Sequence, residues 1–196
     1  MMKRIGYHGT TYENALELAK GNYRALSERK GKWLGRGLYF FEDNLELAAN
    51  YARAAAADGG EPGILCADID LSHCLDVTRT YGQTHIRNAH RSLEEEWRSK
   101  GEEGVKQEPF LLHEGQVRAG FSGEWAGGNN KLDHVVIERA IELARLQKDF
   151  VFDTVRGIFL EEGPLFRSSW LFEGAHVAIA VRAPAIRITN PAVYRV

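Results

Sequence analysis

Tyr7-His8-Gly9-Thr10 sets an imidazole, a residue with no side chain and a hydroxyl side by side. Imidazole and hydroxyl both give and take hydrogen bonds, and a glycine lets the backbone itself approach a ligand. Such a tetrapeptide suits contact with a nucleotide; it equally suits a histidine whose hydrogen bonds serve only the fold. Metal chemistry has less to stand on. Cys66 and Cys74 are the only two cysteines, and no second Cys/His pair follows at zinc spacing. They predict buried free thiols rather than a disulfide framework or a metal site.

The tetrapeptide needs elements to hold it. Ile5 to His8 reads as a short strand, and Thr11 is placed to cap a helix from Tyr12 to Lys20 that Gly21 stops. Ser27 to Gly37 is charged and glycine-rich, a loop leading into a strand over Leu38 to Phe41. Glu42-Asp43-Asn44 opens an alanine-rich helix, Leu45 to Ala57. Ile64 to Leu71 alternates imperfectly, like a strand with one wet face. Ile86, Ala89, Leu93 and Trp97 recur at helical spacing within His85 to Lys100, as do Leu132, Val136, Ala140 and Leu143 within Leu132 to Gln147. Between these helices, Gly120 to Asn130 has the composition of a surface loop; Phe121 and Trp125 there read as lid or target contacts or as core, and Trp97 as core. Strands are predicted again at Gly157 to Leu160, Val177 to Arg182 and, behind Pro184, Ala185 to Thr189. Strands at both ends with helices between favour an α+β fold over a regular alternation.

Composition narrows the possibilities further. The 196 residues, 44% hydrophobic and 27% charged, suit one folded domain with its own core. A formal net charge of −2 argues against a broadly basic nucleic-acid grip, while leaving transient contact open. No apolar h-region follows Lys3-Arg4 and no run of roughly 18 apolar residues occurs, which predicts a soluble cytoplasmic protein with no membrane partner; export by a machine needing no cleaved signal stays open.

The stretch Trp33 to Ala52, WLGRGLYFFEDNLELAANYA, resembles the pattern of the poly-ADP-ribose polymerase and diphtheria-toxin type of ADP-ribosyltransferase. That family has a Gly-x-Gly-[Ile/Leu]-Tyr-Phe strand followed by a helix ending in Ala-Asn-Tyr. Its His-Gly-[Ser/Thr] strand precedes the Tyr strand, joined to it by a helix and a loop; here His8-Gly9-Thr10 precedes Gly37-Leu38-Tyr39 in that order. The resemblance implies an α+β, ADP-ribosyltransferase-like split β-sheet core in a single domain, residues 1–196, with a helical insertion at about 84–148. It implies NAD+ as co-substrate and no metal. By the same resemblance, His8 would bond the adenosine ribose, Gly9 would hold the nicotinamide carboxamide through its backbone, and Thr10 would add a hydroxyl contact. Tyr39 would stack on the nicotinamide, an aromatic face against a flat cationic ring. His8 and Tyr39 are then expected on neighbouring strands, facing one cleft with Gly9 at its floor; side chains on opposite faces would count against the roles assigned to the pair.

Two departures lie at the helix end: Ala48 stands where the family has Ser, and one extra residue separates Tyr39 from Tyr51. Tyr51 is either the second stacking partner or a helix residue packed on the core. A third departure is chemical. Arg156 to Ile188 resembles the family's late strands, but Ala178 falls where the triad's acid would stand, with His176 two residues earlier on the same strand face. Glu173 and His176 are the candidate substitutes, against readings as a surface carboxylate and a strand-end histidine; Glu161 and Glu162 read as a solvated turn.

The implied activity is transfer of ADP-ribose from NAD+ to a macromolecular acceptor, protein or nucleic acid, in a toxin-like or defence setting where an antitoxin or immunity partner is possible. A catalytically decayed NAD+ or ADP-ribose binding module is the alternative that Ala178 raises. An RNA 2′-phosphotransferase-like enzyme of the same fold is expected to show more basic clustering.

Overall fold

The computed structural model describes residues 2–23, 34–99, 130–147, 150–160, 163–169 and 171–196, without the side chains of Trp97, Asn130 and Lys131. The expectations for Ser27 to Trp33, for Gly120 to Asn129 of the predicted loop with Phe121 and Trp125, and for Glu161 and Glu162 lie outside the described residues, while Asn130 begins a helix rather than ending a loop.

The chain opens with β1 (Lys3–Thr11) and α1 (Tyr12–Ala19). The Thr11 side chain accepts from Asn14 N–H, and Gly21 takes φ +87° where the helix ends, as the cap and stop signals required. β2 (Leu38–Glu42) leads into α2 (Leu45–Ala55), whose first turn is closed by the Asn44 carboxamide accepting from Leu47 N–H at 2.9 Å. After Gly59 and Gly60, both at positive φ, come β3 (Pro62–Asp70) and the short β4 (Cys74–Asp76). The helices α3 (Thr80–Ser99) and α4 (Asn130–Leu146) follow. β5 (Thr154–Phe159), β6 (His176–Val181), the single turn α5 (Pro184–Arg187) and β7 (Ile188–Arg195) complete the described elements.

Among the described residues the strands form one mixed seven-stranded sheet in the order β4-β5-β6-β2-β1-β3-β7, in which only β4 and β5 pair in parallel. With five antiparallel strand pairs to one parallel pair and helices packed on both faces, the architecture is mixed α and β, compatible with the α+β class. Alternation sorts the side chains to two faces. Leu38, Phe40, Leu65, Ile69, Ile179 and Val181 pack beneath α1 through Ala15 and Leu18. On the opposite face, Ala48 and Ala52 of α2 cover Ile64, Tyr7 and Phe41. Beside them Val155, Ala178 and Ala180 lie under Ala89 and Leu93 of α3 and Val136 and Ala140 of α4. The described helices of the central section, α3 and α4, are therefore part of the core.

Three readings are corrected. Ala185 to Thr189 is not one strand: Pro184 supplies the first residue of a helical turn, where its missing N–H costs nothing, and the strand runs from Ile188 to Arg195. That strand and Cys74–Asp76 show little apolar run of their own; pairing with β3 and β5 makes them strands. The thiols Cys66 and Cys74 are free but only half-buried by surface exposure, though burial raises the Cys74 thiol to about 12.

Candidate functional site

β1 is bonded unequally on its two sides. Toward β3 its register runs without a break from Lys3↔Asp70 to Thr11↔Pro62. Toward β2 it is recorded only at Gly6↔Glu42 and Tyr7↔Phe41, with Asp43 N–H donating to Ile5 C=O at 3.1 Å just before. In an antiparallel ladder every second residue aims N–H and C=O at the same neighbour. Ile5 aims at β2, so Tyr7 and Gly9 do as well. The ladder stops one such step short of Gly9.

His8 explains the stop. Its Nδ1 lies 2.7 Å from the Tyr39 carbonyl oxygen, the acceptor that pairing with Gly9 would have used. A carbonyl only accepts, so Nδ1 carries the proton and, in the neutral ring, Nε2 keeps its lone pair. Gly9 meanwhile turns its bare face to α2: a Cβ there would sit 2.0 Å from the Ala48 carbonyl oxygen and 2.8 Å from Ala52 N. The glycine is required for α2 to close over the seam, a role beyond ligand approach.

The expectation that His8 and Tyr39 face one cleft is corrected. His8 leaves β1 in phase with Gly6, and its ring lies 5.9 Å from Phe40 on the α1 side. Tyr39 pairs with Ala180 and packs into the cluster beneath α3 and α4. The period of two puts the side chains on opposite faces, and the imidazole meets Tyr39 at its backbone. The Tyr39 hydroxyl donates to Gly35 C=O at 2.9 Å, and burial raises the phenol well above its ordinary range. Thr10 lies on the β3-paired stretch opposite Gly63.

Glu138, on α4, holds the turn that leads into β2. Its Oε1 accepts from Arg36 N–H at 2.8 Å and from Arg182 at 2.6 Å, and its Oε2 from Arg182 at 3.0 Å. Burial would raise this carboxyl, but the Arg182 and Arg36 hydrogen bonds outweigh it and hold the group below its ordinary value. Both motif glycines are spent here. Gly35 takes φ +75°, and a Cβ on it would stand 2.6 Å from Glu138 Oε1; one on Gly37 would stand 2.9 Å from Val181 O. Nothing in the sequence pairs residue 138 with residue 36; only the folded packing of α4 brings them together.

Phe41, Tyr51, His176 and Phe159 form a continuous aromatic group on the α2 side. Phe41 lies 4.8 Å from Tyr51 and 5.2 Å from His176 between ring centroids, and Phe159 stacks on His176 at 4.9 Å. Tyr51 is 45% exposed, so its ring rests on Phe41 with one side toward solvent. His176 is buried, with Nδ1 2.8 Å from the Gly174 carbonyl, which fixes Nδ1 as the protonated nitrogen of the neutral ring. Ala178, 1% exposed between Phe41 and Gly157, is a core residue. Glu173 is exposed on the turn before β6, its N–H donating to Gly163 C=O at 3.0 Å. Gly9, Tyr51, His176 and Tyr39 thus share one side of the sheet, with His8 at the seam between. The aromatic pair Phe41 and Phe159 was not singled out from sequence; the alternation of Tyr39 and Phe41 on one strand was the available signal.

Among the described residues no group of three or more His, Cys, Asp and Glu is arranged to hold a metal ion. No helix among them is long and apolar enough to cross a membrane. No protein-family model, curated protein or solved structure matches this chain.

Proposed function

We propose that this chain binds NAD+ at the β1–β2 seam and transfers its ADP-ribose to a macromolecular acceptor, using an ADP-ribosyltransferase-like fold. The observation that carries the reading is the ladder that His8 ends at Tyr39 O. Past that point, Gly9 presents a donor and an acceptor side by side toward β2, the complement of a primary carboxamide such as that of nicotinamide. The His8 tautomer gives Nε2 the lone pair needed to accept from a ribose hydroxyl. α2 closes one face of the seam, and Tyr51 with Phe41 offers the nearest aromatic surface for a flat cationic ring. Tyr39, with its hydroxyl engaged by Gly35, then acts through the wall it builds as well as through its ring.

Departure of nicotinamide leaves positive charge on the ribose, and a nearby carboxylate lowers that barrier. Ala178 supplies none. Glu173 is the better substitute, because it is an exposed carboxylate beside the start of β6, whereas His176 is buried between Phe41 and Phe159 with its Nδ1 proton directed to Gly174. The test is incubation with labelled NAD+ and a cell lysate, reading nicotinamide release and labelled acceptors by mass spectrometry. Transfer is expected to fall about 100-fold or more in Glu173→Ala with NAD+ affinity nearly intact, the pattern of a group acting in the transition state. Equal transfer by Glu173→Ala and the parent removes Glu173 from the mechanism.

A second reading, an NAD+ or ADP-ribose binding module without catalysis, is favoured by the core position of Ala178. It requires measurable NAD+ binding with no nicotinamide release. Absence of binding to the parent protein defeats both readings.

A further inference from the structure

Between α3 and α4 lies an open cleft of about 560 Å³, within the range of roughly 300–1,000 Å³ common for small-ligand sites. Its floor is apolar, with half-buried Val77, Ile86 and Leu132 at the surface and Leu34, Val136 and Ile137 closed off beneath them. Arg87, His90, Arg91 and Glu94 line its α3 wall, residues three and four apart that share one helix face, and Asp133 stands on the α4 wall. The charges are not mutually satisfied. Glu94 is engaged by His90 on its own helix at 3.8 Å, and Arg87 reaches the Thr84 hydroxyl at 3.5 Å. Among the described residues, neither guanidinium has a carboxylate within ion-pair distance, and Asp133 has no such cation.

An apolar floor by itself would accept any greasy body. Two exposed guanidinium groups on one wall, with no carboxylate among the described residues to pair them, offer an anion site that their planar forks can hold with charge-assisted bonds. Asp133 across the floor adds a requirement for an N–H donor at the other end. We propose that this cleft binds a mononucleotide: phosphate on Arg87 and Arg91, planar base over Ile86 and Leu132, and a base N–H donated to Asp133. The site is separate from the seam at His8 and does not depend on the NAD+ reading.

The test is calorimetric titration of the full chain with AMP, with adenosine and inorganic phosphate as partial probes. AMP is expected to bind at one site, with adenosine and phosphate each weaker by about ten-fold or more, the scale of one lost charge-assisted hydrogen bond. Arg87→Glu and Arg91→Glu change exposed side chains that the fold does not need, and each is expected to weaken AMP about ten-fold or more while leaving the melting temperature in place. His8→Ala is expected to leave the arginine-dependent part of AMP binding unchanged, since any AMP that enters the seam through its ribose does not use Arg87 or Arg91. No binding of AMP, or equal binding by the parent and both arginine variants, overturns the proposal. AMP binding lost in His8→Ala but kept in the arginine variants puts the nucleotide in the seam, which overturns the cleft and leaves the NAD+ reading standing. AMP binding with the expected pattern in a protein that neither binds nor cleaves NAD+ supports the cleft and defeats the NAD+ reading.

Discussion

The two sides of β1 differ in what they are built to do. Along β3 every residue from Lys3 to Thr11 has a partner; along β2 the recorded register is two pairs long and ends where an imidazole takes the next carbonyl. A full ladder gives rigidity and offers a ligand nothing. An interrupted one leaves backbone groups outside the ladder, held in place by the completed side of the same strand. One strand thereby carries both the stability of the sheet and the candidate binding edge, and substitutions on it should separate the two.

The largest effect is expected at Gly9. Any side chain there collides with α2 backbone, which cannot move as the tip of a side chain can, so Gly9→Val should destabilise by about 3 kcal/mol or more in urea unfolding. A loss below about 1 kcal/mol would mean that α2 is not docked on the seam as described. Next comes Glu138→Ala, which strips Arg182 and Arg36 N–H of their acceptor. The partners are partly exposed, at 24% and 19% for the Glu138 and Arg182 side chains, so the cost should sit near the lower end of about 1–3 kcal/mol. Because the folded-state carboxyl is held below its ordinary value of 4.5, its contribution is present above that pH and is lost as pH falls through and below it. Glu138→Gln should therefore lose stability less steeply than the parent on the acid side; identical pH profiles would deny the Arg182 pairing any energetic role.

His8→Ala sharpens the comparison most directly. It removes at least the hydrogen bond to Tyr39 O and the ring contact with Phe40, together worth about 1–2 kcal/mol to the fold, while NAD+ affinity should fall by roughly 1–3 kcal/mol. Unfolding and NAD+ titration of one preparation check both, and a loss of stability larger than the loss of affinity would make His8 a structural residue. Tyr51→Leu is expected to have the smallest effect on the fold, within about 0.5 kcal/mol for a half-exposed site, with a measurable loss of NAD+ binding if its ring carries the stack.

Much of the local structure was legible because its causes are local. Thr11 and Asn44 cap their helices through side-chain oxygens, Gly21 ends one, and apolar spacing located α3 and α4. The order of His8-Gly9 and Gly35-x-Gly37-Leu38-Tyr39 along the chain was also readable. Facing was not: a period of two fixes which residues share a side within a strand, but which side Tyr39 takes relative to His8 depends on the register between strands. Glu138 was illegible for the same reason, since its partners lie on a turn and just past the end of β6, far away in sequence. The fate of the expected acid position could be stated from sequence only as an absence; that Ala178 is packed beneath helices is a property of the folded core.

The place of β6 has a consequence for how the chain assembles. β6 is the strand that joins β5 to β2, and it follows β2 only after α2, β3, β4, α3, α4 and β5 have been made. β1, α1, β2, α2 and β3 can gather early, since β1 pairs with both of its neighbours within the first seventy residues. Until β6 arrives, however, β2 keeps an open edge carrying Leu38 and Phe40, and α3 and α4 lack the strand surface formed by Ala178 and Ala180. Closing so long a loop costs entropy that nearer contacts avoid. Refolding should therefore be slow in the step that seats β6, and the waiting edge of β2 is where a nascent chain is most exposed to pairing with a neighbour.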